Sequence, residues 1–201
     1  MTKIDTSEPE QVLPTPSHTV GPFYGYALPF PGGPDIVPPG DPNEVVVRGY
    51  VYDGEGAPVP DALLETWGPD SEGELSRTDG SIRRDPATGG YLGRNGWEFT
   101  GWGRSQTDAG GQWYVRTRWP GARGDNAPYL SVCVFARGLL VHLYTRIYFP
   151  SDDAALDDDP LLARLDAERR DTLIARPQAD GTYRFDVRLQ GEGETVFLEF
   201  T

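Results

Sequence analysis

The stretch Ala127–Phe149, APYLSVCVFARGLLVHLYTRIYF, decides the fold. Its first part, Ala127 to Ala136, is rich in β-branched and aromatic residues. Its second, Leu139 to Phe149, alternates with period 2. The pattern predicts two long strands joined at an Arg137-Gly138 corner. On the second strand His142, Tyr144, Arg146 and Tyr148 share one face, while Val141, Leu143, Thr145 and Ile147 share the other. Such a hairpin belongs at the centre of a sheet, with Arg137 as a cation at its tip.

Working outward, VVVRGYVYD from Val45 predicts a strand, Gly54 to Pro58 a turn, and Ala62 to Trp67 another strand. Gly68 to Gly96 is a long excursion rich in Gly, Asp and Arg, a length usually kept for functional loops or interface elements. Strands resume at Gln112–Arg118 and, after the hairpin, at Tyr183–Leu189 and Thr195–Phe200. Asp159-Pro160 predicts the cap of a helix of roughly three turns through Arg170, with Leu161, Leu162 and Leu165 on one face. Many short strands, frequent turn residues and one short helix predict an all-β class, a β-sandwich with long loops. Residues 1–43 form an extended arm ahead of a sandwich domain at 44–201. Within the arm, TPSHTVGPFYGYALPF (15–30) is too Pro- and Gly-punctuated for a helix, so its aromatic residues call for a surface to drape over.

Composition narrows the function. The 201 residues carry a formal net charge of −13, and only Lys3 among the 18 basic residues is a lysine. That charge argues against nucleic-acid and anionic-membrane partners, which demand basic patches. No apolar run is long enough to cross a bilayer, and the first 30 residues lack a basic n-region followed by an apolar h-region. The expectation is a soluble cytoplasmic protein. The single cysteine, Cys133, lies mid-strand, where a small buried hydrophobe is expected rather than a reactive thiol.

The residues alone offer no complete active site. The two histidines, His18 and His142, form no HxH or HxxxH pair, so a zinc site is not expected. His142 and Tyr144 could face one way toward iron, but a lone strand histidine reads as a hydrogen-bonded structural residue. No nucleophile elbow or phosphate loop occurs, and Gly101-Trp102-Gly103-Arg104 reads as a turn. Asp152-Asp153 and Asp157-Asp158-Asp159 read as solvated loop and helix-entry charge.

Five segments nevertheless resemble, in order, the α chains of the protocatechuate 3,4-dioxygenase family of intradiol ring-cleaving enzymes. They are TPSHTVGPFY (15–24), VYDGEGAPVPDALLETW (51–67), FARGLLVHLYTRIYF (135–149), RRDTLIA (169–175) and YRFDVRLQGEGETVFLEF (183–200). The resemblance implies homologous α and β subunits, both β-sandwiches, pairing as αβ units that assemble further. It places Fe(III) in the partner β subunit, held by two Tyr and a His-x-His pair, and none in this chain. At the positions equivalent to that pair stand Tyr129 and Ser131, and Pro120-Gly121 is followed by Ala122-Arg123 where the β chain has a tyrosine ligand.

By the same resemblance, Thr19, Gly21, Pro22, Phe23 and Arg137 reach into the β active site and line the substrate pocket. There protocatechuate and O2 become 3-carboxy-cis,cis-muconate. The chemistry suits those residue types: the substrate is an anionic catechol in an acidic complex, so a local arginine is apt. Gly21 permits close backbone approach and Pro22 fixes the segment's geometry. Two other readings stay open on sequence alone. One is a self-sufficient dioxygenase with iron on His142, Tyr144 and Tyr129; the other is a non-enzymatic binding sandwich.

Overall fold

The computed structural model describes residues 25, 27–78, 80–94, 98–150 and 153–200. In chain order its strands are β1 (Glu44–Tyr52), β2 (Leu63–Trp67), β3 (Ile82–Arg84), β4 (Tyr91–Arg94), β5 (Trp102–Gln106) and β6 (Gln112–Arg118). They continue with β7 (Tyr129–Phe135), β8 (Leu143–Tyr148), β9 (Arg176–Pro177), β10 (Tyr183–Arg184) and β11 (Val187–Arg188). Two short helices, α1 (Asp153–Asp157) and α2 (Ala167–Asp171), flank a 3₁₀ turn at Leu162–Arg164.

In β1 Val45, Val47, Gly49 and Val51 are buried, and the residues between them only half so. β1 pairs antiparallel with β6, and on its other edge takes two parallel partners in succession, β10 and then β11. The second sheet runs β5-β2-β7-β8, antiparallel throughout. The inner faces of the two sheets meet in one core. Val47, Trp113, Val115 and Val187 come from the first sheet, and Leu64, Leu130, Val132, Val134 and Ile147 from the second. This is the all-β sandwich that the alternating pattern predicts.

Gly49 stands where β1 changes from one parallel partner to the other. A Cβ there would sit 1.7 Å from the Phe185 carbonyl oxygen, which is backbone and cannot swing aside. Gly49→Ala is expected to cost about 1–3 kcal/mol through that overlap. Urea unfolding checks this, and an unchanged midpoint would show that the β1–β10 contact can open freely.

Several expectations need correction. The second hairpin strand begins at Leu143 rather than Leu139, because residues 139–142 belong to the turn and bend. Leu140 and Val141 are 61% and 62% exposed, so Val141 does not face the core. The three-turn helix at 160–170 is broken: Leu165 is extended (φ −99, ψ 145), and Asp166 starts α2 by accepting from the Arg169 amide. Tyr183–Leu189 divides into β10 and β11. Thr195–Phe200 forms no strand, only an isolated bridge between Leu198 and Tyr144. The Gly68–Gly96 excursion contains the β3–β4 hairpin, and Gly101-Trp102-Gly103-Arg104, read as a turn, runs into an edge strand at Trp102–Gln106.

Asp159 is the sharpest correction, since it is fully buried rather than solvated. Its Oδ1 accepts from the Leu161 and Leu162 amides (2.9 and 3.1 Å) and from the Tyr148 hydroxyl (3.0 Å). Its Oδ2 accepts from the Ala127 amide (3.0 Å). This carboxylate ties the 3₁₀ turn to both ends of the Ala127–Phe149 hairpin. Around it Leu156, Leu162, Leu173 and Val196 form a second core that covers Tyr148.

Candidate functional site

The hairpin corner is a tight turn. The Leu139 amide donates to Ala136 O at 3.2 Å, and Gly138, at φ +89, takes the third position that a type II turn requires. Arg137 at the tip is 61% exposed and forms an ion pair with Asp61, whose side chain is only 19% exposed. Asp61 is the one non-glycine residue among those described with a positive φ (+61). Its Oδ1 is buried without a hydrogen-bond partner. A short polar residue tolerates that backbone, and the strained turn before β2 aims its carboxylate at the corner.

Asp61 is also the point where the N-terminal segment arrives. A Cβ on Gly25 would lie 3.5 Å from Asp61 Cβ and 3.3 Å from Gln106 Nε2. The Leu28 carbonyl accepts from Arg104 Nη1 at 2.7 Å, and Phe30 is buried against Trp102, ring centroids 5.9 Å apart. Thr19, Gly21, Pro22 and Phe23 lie outside the described residues. The segment that follows them therefore runs onto the surface that holds Arg137. Nothing in the sequence pattern singles out Asp61; the turn dipeptide Pro60-Asp61 is the only hint of it.

The proposed iron ligands of a self-sufficient enzyme do not gather. His142 Nε2 lies 2.7 Å from Tyr144 Oη, and the two rings meet edge to face at 4.7 Å, with Phe135 packed at 5.5 Å. Tyr144 is paired with Cys133, whereas Tyr129 is paired with Tyr148. Four residues of strand thus separate Tyr129 from the Tyr144 row, roughly 13 Å. The Arg146 guanidinium sits over the Tyr129 ring, 4.1 Å from its centroid, so a cation already occupies the approach to that phenol. Burial holds the neighbouring Tyr148 phenol far above its ordinary range, which keeps it neutral and a poor metal ligand. Tyr129, Ser131 and their neighbours do not fit ferric iron. Among the described residues no three His, Cys, Asp or Glu side chains cluster as metal donors.

Cys133 is half-buried, and burial, with the Glu65 charge adding, pushes its thiol up to about 12. The thiolate is the reactive form, so the native chain is expected to react with an aromatic disulfide reagent at pH 8 on the order of a hundredfold more slowly than the urea-unfolded chain. Equal rates would show that the strand opens readily around it.

No family model matches the chain. Full-length relatives do. It is 40% identical over 202 residues to the protocatechuate 3,4-dioxygenase alpha chain of Burkholderia cepacia, covering 92% of this chain and 96% of that one. It is 38% identical over 215 residues to the alpha chain of Pseudomonas putida, covering 96% and 100%. The beta chain of Burkholderia cepacia matches at 31% over 171 residues, 76% of this chain and 67% of that one. Among solved structures, the dioxygenase domain of a Streptomyces carbohydrate-binding fusion superposes with a TM-score of 0.57 at 23% identity, covering 89% and 99%. Catechol 1,2-dioxygenase of Pseudomonas arvilla gives 0.55 at 24%, covering 83% and 59%. At those identities the structures speak for the fold, and the sequence relatives carry the family. With 38–40% identity over nearly its whole length, the chain belongs to the family of protocatechuate 3,4-dioxygenase alpha chains.

Proposed function

We propose that this chain is the non-iron-binding subunit of a protocatechuate 3,4-dioxygenase and works with an Fe(III)-bearing β chain in a cytoplasmic, higher-order αβ assembly. The observation that carries this reading is near full-length similarity to alpha chains, together with an Arg146 guanidinium stacked over the Tyr129 ring. Iron held by the β chain supplies the activation of the catecholate toward dioxygen. This chain supplies pocket wall and charge: Thr19, Gly21, Pro22 and Phe23 from the arm, and Arg137 from the hairpin corner.

Two facts support that placement. Gly25, two residues beyond Phe23, lies against Asp61, and Asp61 is the partner of Arg137, so arm and corner converge on one surface. Beside Arg137, Leu140 and Val141 are exposed, an apolar pair of the kind that a partner surface covers. Among the described residues no helix is long and apolar enough to cross a membrane. Expressed alone, the chain is expected to be colourless and to leave protocatechuate unchanged. Co-expressed with the β chain, it is expected to co-purify with ferric colour and turnover. Stoichiometric ferric iron in the isolated chain would overturn the reading.

A further inference from the structure

The outer face of β5-β2-β7-β8 carries a groove of about 360 Å³ for which the shared site at Arg137 has no use. Strand register builds it in two rows. Trp102, Trp67, Ser131 and Arg146 lie side by side across the sheet, and Arg104, Glu65, Cys133 and Tyr144 form the next row. The walls are aromatic and open to solvent: Trp67 is 43% exposed, Tyr144 39% and Phe200 74%. Phe200 reaches in from the C-terminal segment and meets Tyr144 edge to face at 5.2 Å.

The charged groups lining the groove are two, Glu65 and Arg146. Glu65 is already neutralised by Arg104, which donates Nε and Nη2 to its Oε1 at 2.8 and 2.6 Å. Arg146 has no carboxylate partner among the described residues. Its Nη1 is spent on Tyr148 Oη (2.8 Å) and Asn126 Oδ1 (3.1 Å), and its plane is fixed over Tyr129. Its Nε and Nη2 make no hydrogen bond among the described residues, and Ser131 is its register neighbour across β7–β8. An adjoining recess of about 60 Å³ adds Arg123 to the same rim. In a chain of net charge −13, a held guanidinium with no direct carboxylate partner among the described residues, reaching Asp159 only through the Tyr148 hydroxyl, is a site for a small anion in an aromatic groove.

We propose that this groove binds a flat aromatic carboxylate, its ring against Trp67 and the Tyr144–Phe200 edge and its carboxylate on Arg146. The volume sits at the low end of the roughly 300–1,000 Å³ of small-molecule sites, which suits a single ring. One fixed cation suits one carboxylate rather than a polyphosphate. The wider cleft of about 640 Å³ beneath β9–β11 offers no such selectivity, because its arginines are interspersed with Glu168, Asp171 and Asp186, and Arg184 is tied to Asp186. The inference is independent of the shared-site reading, since it concerns this chain's own surface.

The probe is 4-hydroxybenzoate, titrated into the purified full-length chain and followed by tryptophan fluorescence and calorimetry. Saturable one-to-one binding is expected. Arg146→Met should weaken it about tenfold or more, and Arg146→Lys less. Trp67→Ala should weaken it severalfold; this half-exposed residue can be changed without opening the core, so it keeps the test open if Arg146→Met fails to fold. Phenol, which lacks the carboxylate, should bind the wild type no better than it binds Arg146→Lys. No saturation at millimolar probe, or binding that neither Arg146→Lys nor Trp67→Ala alters, would overturn the proposal.

Discussion

Asp159→Ala is expected to destabilise the chain by about 3–5 kcal/mol, a large share of the 5–15 kcal/mol that holds a domain of this kind together. The carboxylate is fully buried and accepts from three backbone amides and the Tyr148 hydroxyl. Truncation leaves four donors, three of them buried, facing a void. Each unsatisfied group costs about 1–3 kcal/mol, partly relieved by water entering the space. Asp159→Asn keeps the shape but turns an NH2 toward donors, so a smaller loss of about 1–2 kcal/mol is expected. The measurement is the urea midpoint at constant m-value, with near-ultraviolet circular dichroism reporting the packing around Tyr148. If Ala and Asn cost the same fraction of a kcal/mol, the carboxylate is not the clasp between the hairpin and the 3₁₀ turn.

The same residue shows why part of the fold was legible and part was not. Strands with a buried face declare themselves by alternation: β6 falls at Gln112–Arg118 as the pattern predicts, and β1 within one residue of its expected span. Trp102–Gln106 hides because Gly101 and Gly103 imitate a turn. Gly101 does hold a positive φ, but Gly103 is in the strand because Ile36 packs where a side chain would go, its Cγ1 2.8 Å from a Cβ at that position. The helix at 160–170 fails for a tertiary reason. Asp-Pro and a leucine stripe satisfy local rules, yet the Asp159 carboxylate is drawn into the core and Leu165 turns extended.

The site divides in the same way. The sequence pattern puts Arg137 at a strand corner, where the structure has it, whereas its role in a pocket rests on the family resemblance. Asp61 could not be named from sequence, because its role depends on a strained backbone and on a neighbour 76 positions away. The resemblance also marks Tyr129 and Ser131 as the positions where the β chain carries its His-x-His pair. Sequence was silent on the guanidinium of Arg146 stacked over Tyr129, which only the β7–β8 register brings there.

In the αβ complex, Arg137→Ala is expected to weaken protocatechuate binding by about 1.5–3 kcal/mol, roughly ten- to a hundredfold, if the arginine meets the substrate carboxylate through a charge-assisted hydrogen bond. Catechol, which lacks that carboxylate, should lose much less. The ion pair with Asp61 shapes the expectation. At a 61% exposed tip it adds little to stability, about 0–1 kcal/mol, so the Ala variant should fold normally and the effect should appear in KM. Arg137→Lys keeps the charge but not the fork of parallel donors, and should recover only part of the affinity. Asp61→Asn removes the competing carboxylate while an asparagine still tolerates the φ of +61, so protocatechuate should bind as well or better while the arginine is less firmly aimed. Steady-state kinetics with both catechols separates these effects. Equal losses for protocatechuate and catechol in Arg137→Ala would show that the corner shapes the pocket without reading the carboxylate.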